Sequence, residues 1–401
     1  MAHYDFNTVI DRRNTNSLKY DFAAERGRPA DVLPLWVADM DFRAPQPVLD
    51  ALHRAVEHGI FGYSDVKSDY YDAVSFWFSR RFGWQTKPEW LVKTPGVVYA
   101  LAMAVRTLTL PGDAVLIQPP VYYPFFSVIR DNDRVVVESE LVFRDGRYSI
   151  DFEDFERKIA ERQVKLFILC SPHNPVGRVW TAEELQRIGA ICKKYNVYVV
   201  SDEIHCDFAF AEQTHHIFPT VNPDLAEQTI ICTAPSKTFN IAGLQVSNIW
   251  IPSAKLRTAF LKEIDRSGYS QLNVLGLVAC QAAYESGGEW LEQCRTYLWE
   301  NLDYLRSFLT ANIPEIKLVE PNGTYFAWLD CSGLGLSQKQ LDDLIVNKAK
   351  LWLDAGHIFG GNAGQFQRVV LACPRATLKQ ALHQLHTAVK AERSSLHGHK
   401  I

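Results

Sequence analysis

Thr233-Ala234-Pro235-Ser236-Lys237-Thr238-Phe239-Asn240 follows directly on the apolar run Thr229-Ile230-Ile231-Cys232. A lysine at the carboxyl end of a buried strand, flanked by Ser and Thr, is poorly explained as a surface charge. It is well explained as an amine held in a pocket to form a Schiff base. Two other polar residues stand in the same kind of place. Val197-Tyr198-Val199-Val200 runs into Ser201-Asp202-Glu203, and Leu166-Phe167-Ile168-Leu169 runs into Ser171-Pro172-His173-Asn174-Pro175. Three strand ends carrying Lys, Asp and Asn can converge on one cofactor.

The surrounding chain supports such a sheet. Short apolar runs at Ala114 to Ile117, Val135 to Val137, Leu166 to Cys170, Val197 to Val200, Thr229 to Cys232 and Ile249 to Ile251 alternate with helical patterns. That alternation is the βαβ signature of an α/β fold. The runs lack apolar/polar alternation, which predicts strands covered on both faces. Thr181 with Glu184 three residues on predicts a capping box at the start of one intervening helix. A boundary is expected near Gly287-Gly288. Beyond it Leu291, Cys294, Leu298, Leu302, Leu305 and Leu309 recur at spacings of three and four, the stripe of one buried helix face. Pro321 to Trp328 reads as a turn and a strand. The expected organisation is a large α/β domain over 48–287. A smaller α+β domain would be assembled from 1–47 and 288–401.

The chain of 401 residues is long enough for two domains. Its net charge of −4 without a basic block argues against nucleic acid. No apolar run approaches the ~20 residues that span a bilayer. Met1 to Asp5 has neither a basic nor an apolar stretch, so no signal peptide is expected and the expected location is the cytoplasm. The eight cysteines are scattered without a CxxC pair, which suits reduced core thiols better than disulfides or zinc. The histidines form no HExxH pattern, and no metal site is expected.

Several further residues suggest chemistry, each with an ordinary alternative. Asp202 after an apolar run is as a rule a cap or turn residue. Its functional reading is an anion that keeps a pyridine nitrogen protonated. Asn174 is commonly a turn residue before Pro175, or else a donor to a ring oxygen. Thr94-Pro95-Gly96-Val97 opens a helical run, and free N–H groups at a helix start hold phosphate. An ordinary loop-to-helix turn explains it equally well. Ser236 could add a hydroxyl to that phosphate. Tyr122, after Pro119-Pro120-Val121, could stack on a planar group or simply pack in the core. Arg375 follows Val369-Val370-Leu371 by a few residues. It is suited to a substrate carboxylate, with a structural ion pair as the plainer explanation.

Taken in order, the phosphate loop, Tyr122, Asn174, Asp202, Ser236-Lys237 and Arg375 resemble the fold-type I pyridoxal phosphate (PLP) enzymes, over nearly the whole chain. Leu33-Pro34-Leu35-Trp36-Val37-Ala38-Asp39-Met40-Asp41-Phe42 is similar to the opening of the MalY/PatB-type cystathionine β-lyases. So are His58-Gly59-Ile60-Phe61-Gly62-Tyr63 and Ser201-Asp202-Glu203-Ile204-His205. Aminotransferases of this fold usually carry Tyr where this chain has His205. They usually place an Arg, which holds the phosphate, where this chain has Gln245.

The resemblance implies an aminotransferase-type α/β fold with a mostly parallel mixed sheet. It implies Lys237 as the cofactor lysine and proton-transfer base, Asp202 at the pyridine nitrogen, Asn174 at the ring oxygen and Tyr122 on the ring. Gly96, Val97 and Ser236 would bind the phosphate, and His205 would be a further cofactor contact. Arg375, Val37 and Ala38 would contact the substrate. Tyr63 would reach the phosphate of a neighbouring subunit, which implies a homodimer with shared sites. The implied activity is carbon–sulfur β-elimination from cystathionine or related cysteine S-conjugates. The alternatives are an aminotransferase, and a regulatory protein that binds a transcription activator and retains some lyase activity.

Overall fold

The computed structural model describes residues 3–210 and 212–398, so Met1 and Ala2 of the opening read above lie outside it. A seven-stranded sheet forms its centre. In chain order its strands are β1 (Leu91–Thr94), β2 (Ala114–Ile117), β3 (Val135–Glu138), β4 (Leu166–Cys170), β5 (Tyr198–Asp202), β6 (Thr229–Thr233) and β7 (Ser247–Trp250). They lie side by side in the order β1-β7-β6-β5-β4-β2-β3. Strand β7 runs antiparallel to both its neighbours, and the other pairings are parallel.

The missing alternation in the sequence has a direct cause. Ile168, Val200, Ile230 and Cys232 pack on one face with Val97, Leu101 and Ala104 of α1 (Val97–Leu108). Phe167, Leu169, Val197 and Val199 pack on the other with Leu185, Ile188 and Cys192 of α2 (Ala182–Lys194). Each fully buried aliphatic side chain of this kind contributes about 1.5–3 kcal/mol of transfer free energy. Thr181 caps α2, and its side chain and that of Glu184 exchange hydrogen bonds with each other's backbone N–H as the sequence pattern predicts.

The leucine stripe belongs to α3 (Gly288–Asn312), whose Leu291, Cys294, Leu298, Leu302, Leu305 and Leu309 are buried. Beyond it a four-stranded antiparallel sheet contains β8 (Lys317–Val319), β9 (Phe326–Asp330), β10 (Asp354–Ala355) and β11 (Phe366–Val370), in the order β8-β9-β11-β10. The helix α4 (Arg375–Gly398) follows. Leu33 and Pro34 pair in parallel with Leu351 and Trp352, which ties the N-terminal segment to this later part of the chain. All eight cysteines are buried and unpaired. No helix among the described residues is long and apolar enough to cross a membrane.

Candidate active site

In the register of the sheet, Asp202 lies level with Cys170 on one side and Cys232 on the other. Asn174 follows β4 by four residues, and Lys237 follows β6 by four. Parallel neighbours point their carboxyl ends the same way, so three sequence-distant polar residues meet above one edge. A cavity of about 380 Å³ opens there. It is lined by Gly96, Val97, Tyr122, Asn174, Asp202, His205, Ser236 and Lys237, and also by Ala38 and Gln245.

Lys237 sits in the one-turn helix Pro235–Thr238 and is half-buried, open toward the cavity. Its Nζ donates to the Ala38 carbonyl at 2.7 Å. Burial pushes its pKa down to about 8; Asp39 and Asp202 pull it back up, and Arg368 adds to the lowering. Asp202 is buried, with its pKa pushed up to about 7. Burial is the main cause and Glu203 adds to it, while the Ile204 N–H and Lys237 oppose it. Among the described residues no cation lies within ion-pair distance of Asp202. The strand end is pinned by Glu203, which accepts from Ser201 Oγ and the Phe218 N–H, both at 2.9 Å, and lies 2.8 Å from His215 Nε2.

His205 packs edge-on against Tyr325 and Phe326. Burial, with Lys237 and Arg368 nearby, holds it well below the usual imidazole range, so it is neutral. Its Nδ1 is buried without a hydrogen-bond partner. Helix α1 begins at Gly96 with no side-chain cap, and its first turn, Val97 to Tyr99, lines the cavity. Its first N–H groups are therefore free donors at the positive end of the helix. A buried carboxylate lacking a cation, an unpartnered imidazole nitrogen, open helix N–H groups and an amine of lowered pKa fit the nitrogen, polar oxygens, phosphate and aldehyde of pyridoxal 5′-phosphate.

Three of the sequence-derived residues, Tyr63, Val37 and Arg375, do not line the cavity. Tyr63 is 96% exposed, beside the exposed Ile60 and Phe61, and does not line the cavity of its own chain. Val37 packs beside Trp36 and Trp352. Ala38 does line the cavity, but what it presents there is a backbone carbonyl that accepts from Lys237. Arg375 is not among the residues that line the cavity. The chain has left β11 by then, and Arg375 opens α4. Its Nε donates to Asn301 Oδ1 at 2.7 Å and its guanidinium lies over the Tyr304 ring at 4.9 Å. Asn301 Nδ2 donates in turn to the Leu371 and Cys373 carbonyls. Arg375 thus fastens α3 to the start of α4.

A different arginine, Arg368 in the middle of β11, reaches a residue that lines the cavity. It is buried at 2% exposure, donates from Nη1 to Asn174 Oδ1 at 2.8 Å and from Nη2 to the Trp36 carbonyl at 3.0 Å, and pairs with Asp354. Its signal in the sequence was its place inside an apolar strand. A guanidinium there must be paired or serve an anion.

The model for the family "Aminotransferase class I and II" matches residues 30–385. The chain is 42% identical to cystathionine beta-lyase PatB of Bacillus subtilis (strain 168) over 385 residues, covering 96% of this chain and 100% of that protein. A PLP-bound putative aminotransferase from Clostridium difficile 630 superposes with a TM-score of 0.94 at 41% identity, over 96% of this chain and 100% of that one. The crystal structure of cystalysin from Treponema denticola, which contains a pyridoxal 5′-phosphate cofactor, matches with a TM-score of 0.94 at 38% identity, over 97% and 100% of the two chains.

Proposed function

The chain belongs to the aminotransferase class I and II family, and from that premise we propose that it is a PLP-dependent carbon–sulfur β-lyase acting on cystathionine or related cysteine S-conjugates. The observation that carries the lyase reading is the end-to-end likeness to PatB. Gln245 at the cavity, a neutral residue where aminotransferases of this fold usually have Arg, supports it. When bound, the cofactor supplies an electron sink for the charge left at Cα.

The residues divide the remaining work. Lys237, the residue that would hold the cofactor, would offer its Nζ to take the Cα proton once it is free. A pKa near 8 leaves a useful fraction of neutral amine near neutral pH. Asp202 would sit opposite the ring nitrogen, where a positive charge would favour its ionised form. The open N–H groups of α1, with Ser236, would hold the phosphate, Tyr122 would face the ring, and His205 Nδ1 would be free to donate or accept toward it. The fork of Arg368, aimed by Asn174, Asp354 and the Trp36 carbonyl, holds the substrate carboxylate. A thiolate would leave from Cβ and take up the proton held by Lys237, and one water would hydrolyse the released enamine to pyruvate and ammonia. Eight unpaired thiols suit a reducing cytoplasm. Residues 48–287 are taken as the cofactor-binding domain.

The direct test is to incubate the purified protein with cystathionine and assay pyruvate and free thiol, with and without an added 2-oxo acid. Pyruvate and thiol without the oxo acid support the lyase. Turnover that requires the oxo acid and releases no thiol makes the protein an aminotransferase.

Arg368→Lys should lower kcat/KM by roughly 1.5–3 kcal/mol, about 10- to 150-fold, for every α-amino acid substrate whatever its leaving group. Arg375→Lys should leave kcat/KM within about twofold and show instead as a lower Tm. The reverse pattern in the two variants would return the carboxylate to Arg375.

We place Tyr63 at the phosphate of a partner subunit in a homodimer, since it does not line the cavity of its own chain and its neighbours Ile60 and Phe61 are apolar and exposed. Tyr63→Phe should weaken cofactor retention by about 1.5–3 kcal/mol, the worth of one hydrogen bond to an anion. Mixing Lys237→Ala chains with Tyr63→Phe chains should restore activity toward one intact site per mixed dimer. Mixed dimers without recovery, or a monomer by light scattering, would remove Tyr63 from a shared site.

A further inference from the structure

The Ala38 carbonyl accepts two hydrogen bonds, from Lys237 Nζ at 2.7 Å and from the Tyr325 hydroxyl at 3.0 Å. Tyr325 is 1% exposed, with its ring edge-on to His205 and Phe208. The carbonyl itself is held by an unusual anchorage on the residues that follow it. Lys19, fully buried, donates to Asp41 at 2.9 Å, and Arg12 bridges Asp39 at 2.7 Å and Asp41 at 2.8 Å. On the other side Asn240, three residues past Lys237, accepts from the Met40 N–H and donates to the Met40 and Phe42 carbonyls. The segment 38–42 is thus fastened both to the buried ion cluster and to the chain that carries Lys237. Buried ion pairs of this kind contribute little net stability, but they fix geometry where an alternative arrangement would strand a charge.

We propose that the Ala38 carbonyl is the dock for the Lys237 amine once substrate has displaced it, and that the Tyr325 hydroxyl, by sharing that acceptor, sets how tightly the dock holds the amine in its charged form. Ala38 and Tyr325 are positioning groups here, since they act through Lys237. An ammonium donates more strongly than an amine, so a carbonyl facing Lys237 alone would favour the charged form. A second donor draws on the same oxygen and weakens that preference, which keeps more of the lysine in the neutral form that can take a proton. The other charged and titratable groups that face Lys237 are Asp39, Asp202, His205 and Arg368. None of them is changed by the substitutions below.

The test uses full-length holoenzyme saturated with an α-methyl amino acid, which takes the place of the lysine on the cofactor and has no Cα proton to lose. The rate of acetic anhydride labelling at Lys237, followed by peptide mass spectrometry against pH, gives the midpoint for the free amine. Tyr325→Phe should raise that midpoint by about 0.4–1 pH unit, and the acid limb of kcat should move up with it. Replacing Tyr325 with 3-fluorotyrosine, a stronger donor, should move both downward. A merely structural role for Tyr325 gives no such pair of opposite shifts. Unshifted midpoints, or two shifts in one direction, overturn the dock. If the Phe variant does not fold, the fluorotyrosine protein decides alone: a lower midpoint supports the proposal, and an equal or higher one overturns it. The proposal rests on Lys237 being the cofactor lysine. Borohydride reduction and peptide mapping separate the two failures: an adduct on another lysine overturns the site assignment and the dock together, whereas an adduct on Lys237 with unshifted midpoints overturns the dock alone.

Discussion

Lys237→Ala should lower kcat by about four orders of magnitude or more, because both the covalent attachment point and the proton-transferring base are removed together. The protein should still fold. Lys237 makes one hydrogen bond, to the Ala38 carbonyl, and burial disfavours its charge strongly enough to bring its pKa to about 8. Removing an amine held in that condition costs little stability, so Tm should be unchanged or higher, as is common where a site is built at the expense of the fold. Borohydride reduction of the wild-type holoenzyme should leave a cofactor adduct on the peptide containing Ser236-Lys237-Thr238, and none there in the variant. A small primary amine added to the variant should restore part of the proton transfer. Turnover near that of the wild type, or an adduct on another lysine, would remove Lys237 from its role.

What could be read from the sequence follows from how the strands are buried. Strands β4, β5 and β6 are covered on both faces, so their bodies appear as apolar runs, and polar residues at or shortly past their last positions mark the carboxyl ends. Because β4, β5 and β6 are parallel neighbours, those ends meet, and Asn174, Asp202 and Lys237 come together for that reason alone. The start of α1 at Gly96-Val97 was visible for a similar reason, as a Pro-Gly turn opening an apolar helical stretch.

Arg368 was hidden because the sequence reading looked for functional residues after apolar runs, whereas this one lies within β11. Arg375 stands after the run but in the first turn of a helix. Ala38 contributes a backbone oxygen, and no side-chain pattern announces a carbonyl. The N-terminal segment, rich in Asp and Arg, gave no sign of a core of its own. Yet Lys19 and Asp41 are among its most buried residues, because they neutralise each other within the fold. Pairing between residues 22 positions apart leaves no local periodicity to detect.

Asp202→Asn should keep the cofactor and lose most of the reaction. The amide retains an oxygen to accept from the Ile204 N–H, which bonds Asp202 Oδ1 at 3.2 Å, and Glu203 still pins the strand end, so the site should keep its shape. What disappears is the negative charge. With no cation beside it, burial already pushes the Asp202 carboxyl up to about 7. A pyridinium opposite it would bring that value down again, and the energy of this pairing is what keeps the ring protonated as charge flows into it. Removing one member of a buried pair typically costs about 3–5 kcal/mol, so kcat should fall at least a hundredfold or so. The pH dependence of cofactor affinity should change as well. In the wild type, ionising Asp202 favours binding, so affinity should rise with pH up to about 7. The Asn variant has no proton to lose at that position, and this part of the dependence should vanish while the contributions of Lys237 and of the phosphate remain. If the Asn variant turns over near the wild-type rate, the carboxylate is only a strand-end cap, and the ring must be kept protonated by another group.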